Sequence, residues 1–176
     1  MIIKNKKINI SDEKKIIDEI KKGSIFIYPT DTVYGLGCDA THVNAVERIK
    51  DIKHRDRDKP LSIIVPSKQW IKENCILSDK DEENINKYLP GAYTLVLKKK
   101  NEKFLQHVAG GNKVGVRIPD CQFNKIVKKA DVPFITTSVN MSGEKPAVYL
   151  NDVSENIKKQ VDFVVKARNK DKLSGK

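Results

Sequence analysis

At 176 residues, with 39% hydrophobic and 32% charged residues, the chain has the length of one ordinary domain and is too rich in Ile, Val and Leu to be disordered. No apolar run approaches the roughly 20 residues that cross a bilayer, and the opening MIIKNKKINI lacks the apolar h-region and cleavage site of a secretory signal, so a membrane span is excluded and a cytoplasmic location is expected. The 34 basic residues against 23 acidic give a net charge of +11 and point to a polyanionic partner, although all but five of them are lysine in a chain also crowded with Ile and Asn, a bias that an AT-rich genome produces unaided.

Ser11 to Lys22 reads as an amphipathic helix: Ser11 is placed to cap it, Asp12 and Glu13 suit its positive end, and Ile16, Ile17 and Ile20 form one stripe. Lys21, Lys22 and Gly23 end it. The run SIFIY to Tyr28 reads as a strand buried on both faces. Thr41 to Lys53 is helical again, with Val43, Val46, Ile49 and Ile52 spaced by threes, and LSIIV after Pro60 is a second buried strand. Lys68 to Tyr88 holds one or two short helices, with Trp70 as a packing residue. Strands follow at Thr94 to Lys98 and Val114 to Ile118, then a helix from Asp120 to Ala130 and strands at Pro133 to Val139 and Asp162 to Val165. Helices interleaved with hydrophobic strands predict one α/β layered domain over residues 1–176.

Three segments carry chemistry. Tyr28-Pro29-Thr30-Asp31-Thr32-Val33-Tyr34-Gly35-Leu36-Gly37 begins where a buried strand stops, the place where open α/β sheets bind ligands. Its hydroxyls and glycines suit a polar substrate; the plainer alternative is an ordinary turn with Asp31 bonded to its own backbone. Lys53, Arg55, Arg57 and Lys59 alternate along KHRDRDKPL, which fits either a triphosphate or a solvated turn closing a helix. The run from Pro133 ends in Thr136, Thr137, Ser138, Asn140 and Ser142, which must either cap a loop or line a pocket, because buried unpaired polar groups are costly. Arg117 stands on an otherwise apolar strand and requires an anionic partner.

Other chemistry is excluded. There is no P-loop and no dinucleotide-binding glycine fingerprint. Cys38, Cys75 and Cys121 are far apart with no histidine at ligand spacing, so free thiols are expected and no metal site. His42, His54 and His107 read as surface residues, Lys98 to Lys100 as a solvated strand end, and no exposed aromatic cluster suggests itself.

In this order, PTDTVYGLG, KHRDRDKPL, LPGAYTLVL, VGVRIP and TTSVNMSG resemble the YrdC/TsaC family of L-threonylcarbamoyladenylate synthases over about residues 20–147. The K-x-R and S-x-N pairs of that family are matched by Lys53, Arg55, Ser138 and Asn140; Ala92 and Val139 depart from its common residues. The resemblance implies a twisted mixed sheet flanked by helices around a positively charged concave cavity. It implies a nucleotidyl transfer in which L-threonine, bicarbonate or CO2 and ATP give threonylcarbamoyl-AMP and pyrophosphate, with Mg²⁺ accompanying ATP. The product would pass to the proteins that complete threonylcarbamoylation of tRNA. On this footing Lys53, Arg55 and Lys59 hold phosphates, Ser138 and Asn140 bond the nucleotide or carbamoyl group, Arg117 pairs with the threonine carboxylate, and Thr32, Tyr34 and Thr136 read the amine and side chain. Members of the family usually continue beyond a strand like DFVVKA into segments that help close the site, whereas this sequence ends at LSGK, so a short variant or a fragment is expected. The alternative is a non-catalytic RNA-binding module of the same fold, touching tRNA or double-stranded RNA.

Overall fold

The computed structural model describes residues 6–167. Arg168 and the chain end at LSGK, on which one expectation rested, lie outside the described residues. Within them a twisted nine-stranded mixed sheet forms the centre, in the order β1 (Lys6–Asn9), β9 (Phe163–Lys166), β2 (Phe26–Tyr28), β3 (Gly35–Gly37), β8 (Phe134–Ser138), β4 (Ser62–Ile64), β7 (Lys113–Arg117), β6 (Leu95–Lys99) and β5 (Cys75–Ile76). β1, β9 and β2 run parallel to one another, as do β4 and β7; the remaining pairings are antiparallel.

Strand alternation sorts the apolar side chains between the two faces. Phe26, Tyr28, Ile64, Phe134, Phe163 and Val165 meet α1 (Glu13–Lys21) and α5 (Gln122–Ala130). There aromatic rings interlock, with Tyr28 stacked on Phe123 at 4.3 Å between centroids and Phe134 edge-on to Phe123 at 5.4 Å. Ile25, Ile27, Leu36, Ile63, Val116 and Ile135 face the opposite way, in one core with residues of α2 (Val43–Ile52), α3 (Lys68–Asn74), α4 (Asp79–Tyr88) and α6 (Glu155–Gln160).

The structure alters several local expectations. Asp12, not Ser11, precedes α1, and its side chain makes no capping bond. The segment read as a ligand-binding stretch or, alternatively, an ordinary turn contains β3, a strand of two glycines and a leucine; the Tyr28 ring occupies the space a side chain at Gly35 would need, and the Ile135 carbonyl and Phe134 ring the space at Gly37. Lys99 is not solvated: it is 1% exposed, and its Nζ donates to the carbonyls of Glu102, Phe104 and Ala109 at 2.8, 3.0 and 2.8 Å. Burial lowers its pKa. His107 is half-buried, with Nε2 at 2.6 Å from the Ala40 carbonyl. An exposed aromatic pair does exist, Tyr93 against Tyr88 at 4.6 Å, with Tyr93 55% exposed. No described helix is long and apolar enough to cross a membrane.

Candidate active site

The face that carries α1 and α5 changes character along its strands. Ser62 pairs with both Thr136 and Gly115, so this row is small or hydroxylated where the neighbouring row of Phe134 and Ile64 is apolar. The Ser62 and Thr94 side chains close over Gly115, where a Cβ would sit 2.7 Å from Ser62 Oγ and 3.2 Å from Thr94 Cγ2. Here lies a cavity of about 120 Å³ lined by Thr30, Val33, Tyr34, Gly35, Ser62, Thr94, Arg117, Thr136, Thr137 and Ser138. That is room for about four water molecules at roughly 30 Å³ each, the scale of a small amino acid and well short of a nucleotide.

Arg117, at the end of β7, meets Asp31 from the β2–β3 loop: Nη2 donates to Oδ1 at 3.1 Å, and both side chains are 14% exposed. Asp31 Oδ2 accepts from the Asp120 amide at 3.1 Å. Asp31 therefore does not close its own turn; Thr30 does so, donating from Oγ1 to the Val33 carbonyl at 2.6 Å and accepting from the Thr32 amide at 3.1 Å. Arg117 Nε is buried and has no hydrogen-bond partner among the described residues.

Beside this cavity the residue-53 turn and the end of β8 are locked together. Lys53 is 2% exposed, and its Nζ donates to the Ser138 carbonyl at 2.5 Å, to the Asn140 carbonyl at 2.8 Å and to Asn140 Oδ1 at 3.4 Å. The Ser142 amide returns a bond to the Lys53 carbonyl at 3.0 Å. Ser138 Oγ donates to Asn140 Oδ1, whose amide nitrogen holds the Met141 and Glu144 carbonyls. Desolvation, with the nearby Arg55 guanidinium as the smaller cause, draws the Lys53 pKa down to about 8. His54, with φ of +49°, turns the chain sharply between Lys53 and Arg55.

Some of the expected residues are thus brought together, through the contact of Lys53 with Ser138 and Asn140 beside the cavity, though not as free groups. Tyr34, Arg117, Thr136 and Ser138 line the cavity, whereas Thr32 bonds Thr30 and is not among its lining residues. All three protons of Lys53 are taken by protein acceptors, which makes it a clamp between two loops in this state. Arg55 donates through Nη2 to the Pro60 carbonyl at 2.8 Å and keeps a buried Nε without a partner among the described residues. Lys59 pairs with Asp56 at 3.2 Å, and Arg57 turns away to Glu47 and Asp51. Sequence reasoning missed Ser62, a single hydroxyl in an apolar run, and Asp31 as the anionic partner of Arg117. It also passed over Gly115, whose role depends on a cross-strand neighbour. Among the described residues no cluster of three His, Cys, Asp or Glu side chains could hold a metal ion.

Residues 18–174 match the profile of the Sua5/YciO/YrdC family, which carries the description telomere recombination. A Methanocaldococcus jannaschii protein, provisionally named threonylcarbamoyl-AMP synthase, is 35% identical over 93% of the chain and 79% of its own length. A threonylcarbamoyl-AMP synthase of Vibrio vulnificus is 27% identical over 89% of the chain and 86% of its own length. Among solved structures, Sua5 of Pyrococcus abyssi complexed with L-threonine superposes with a TM-score of 0.84 at 28% identity, covering 93% of this chain. The match covers 50% of that Sua5, so the chain spans about half its length.

Proposed function

The chain belongs to the Sua5/YciO/YrdC family, and from that premise we propose that it is a threonylcarbamoyl-AMP synthase acting as a nucleotidyltransferase on L-threonine, bicarbonate or CO2, and ATP. The observation that carries this reading is the cavity of about 120 Å³ with hydroxyls on its walls and the Arg117 guanidinium at its edge. A carboxylate answers a buried guanidinium donor, and a wall of threonine and serine hydroxyls favours a substrate bearing its own hydroxyl over analogues that lack one. L-threonine has both groups and the right size.

In the reaction the neutral threonine amine attacks the carbon of CO2 and loses a proton, giving a carbamate. A carbamate oxygen then attacks the α-phosphorus of ATP, and pyrophosphate leaves. Little covalent work falls to the protein; its part is to align carbamate and phosphate and to stabilise the charge that develops. Arg117 would hold the carboxylate and Tyr34 and Thr136 the rest of threonine, with Thr32 acting through the Thr30 turn. ATP exceeds the cavity and would extend beyond it, with Arg55 and Lys59 as candidates for its phosphates and Ser138 and Asn140 giving up their mutual hydrogen bond to meet the nucleotide. Lys53 would fix the strand end that presents Ser138 and Asn140. Mg²⁺ would arrive on the triphosphate and neutralise part of its charge, the usual mode for a hard cation with few protein ligands. The product would be consumed by the tRNA threonylcarbamoyl transferase proteins, in the cytoplasm.

The test is pyrophosphate release from protein, ATP, Mg²⁺, bicarbonate and threonine. It should require every substrate and fall at least a hundredfold in Arg55→Ala; release that ignores threonine would refute the reading. The alternative of a non-catalytic RNA-binding module is not favoured, because the named relatives are synthases.

A further inference from the structure

We propose that Asp31 is a positioning residue for the substrate carboxylate, acting through Arg117, and this rests on the threonylcarbamoyl-AMP synthase reading. Arg117 stands on β7 among apolar neighbours, and its long side chain has several rotamers of similar energy. A guanidinium recognises a carboxylate by a planar fork, so its usefulness depends on holding that plane. Asp31 supplies the fixed point, taking Nη2 at 3.1 Å while its other oxygen is tied to the Asp120 amide at 3.1 Å.

The loop bearing Asp31 is tied by its own hydrogen bonds: Thr30 closes it through the Val33 carbonyl and the Thr32 amide, and the Asp120 amide holds the carboxylate. β3, β8 and β4 lie between β2 and β7 in the sheet, and the ion pair joins residues 86 apart in sequence. One bond from Asp31 leaves the buried Nε edge of the fork without a protein partner, as a site awaiting a carboxylate requires. A carboxylate gripping the whole fork would instead have saturated it.

Steady-state kinetics of pyrophosphate release by the full chain tests this. Asp31→Asn should raise the KM for threonine on the order of tenfold, the scale of one charge-assisted bond, while kcat and the KM for ATP stay within about twofold. In an Arg117→Ala background the same change should add nothing. A threonine KM within about twofold of wild type, a loss confined to kcat, or an effect that persists without Arg117 would overturn the proposal. Should Asp31→Asn not fold, Asp31→Glu carries the test: a threonine KM raised severalfold at constant kcat supports it, and a wild-type KM overturns it. Wild-type protein without threonine-dependent release would sink the enzyme reading and this inference together, whereas active wild type with an unmoved KM sinks the inference alone.

Discussion

Lys53 exchanges hydration for three carbonyl-type oxygens, and that exchange sets a pH limit. With its pKa drawn down to about 8, the ammonium loses one of its three donors as pH rises through that value, and the clamp on Ser138 and Asn140 loosens. Threonine-dependent pyrophosphate release should therefore fall along an alkaline limb centred near pH 8, and a flat profile there would contradict the role. The fold itself should not weaken with it. In the unfolded chain the lysine titrates at about 10.4, so between the two values the unfolded state holds a proton that the native state has released, and this group's contribution to stability rises with pH across that window. Thermal unfolding measured at the same pH values separates the two effects.

At the scale of the elements, Gly115 lets β7 pass close beneath the side chains of Ser62 and Thr94, two of the residues that line the cavity. Gly115→Ala places a Cβ 2.7 Å from Ser62 Oγ and 3.2 Å from Thr94 Cγ2. Overpacking of that kind costs about 1–3 kcal/mol. The threonine dissociation constant should rise more than tenfold, with partial recovery in Ser62→Gly/Gly115→Ala; calorimetry with threonine reads both. The elements themselves were legible to different degrees. The strands at Phe26, Ser62, Lys113 and Phe134 stood out as hydrophobic runs, and the helices by apolar spacing, because burial on one or two faces writes itself into local composition. β3 did not, since Gly35-Leu36-Gly37 has little strand propensity and its place depends on backbone pairing with β2 and β8. β1 is mostly exposed and α6 is only six residues long, so neither has a strong pattern. The site was legible as motifs but not as geometry: that Lys53 faces carbonyls, and that Arg117 finds Asp31, depend on pairings between residues about 85 apart.

Taken as a whole molecule, the net charge of +11 is partly absorbed inside. Lys50, Lys53 and Lys99 are all buried, each donating to at least two backbone carbonyls. Part of the basic character thus ties loops to the core instead of facing a partner. Pyrophosphate release should accordingly depend only weakly on salt, within a fewfold over a range where binding through many nucleic-acid phosphates falls by about a thousandfold or more; a steep salt slope in the assay would point back to an RNA surface. β8 has one further consequence. It pairs with β3 on one side and β4 on the other, and so joins the two halves of the sheet, with the Ile135 and Val139 amides bonded to the Cys38 and Tyr34 carbonyls. The strand that presents Thr136 and Ser138 cannot fray by itself. In heavy water, the amides of Ile135 and Val139 should take up deuterium only as fast as the entire domain opens, leaving the pocket floor among the last places to be labelled.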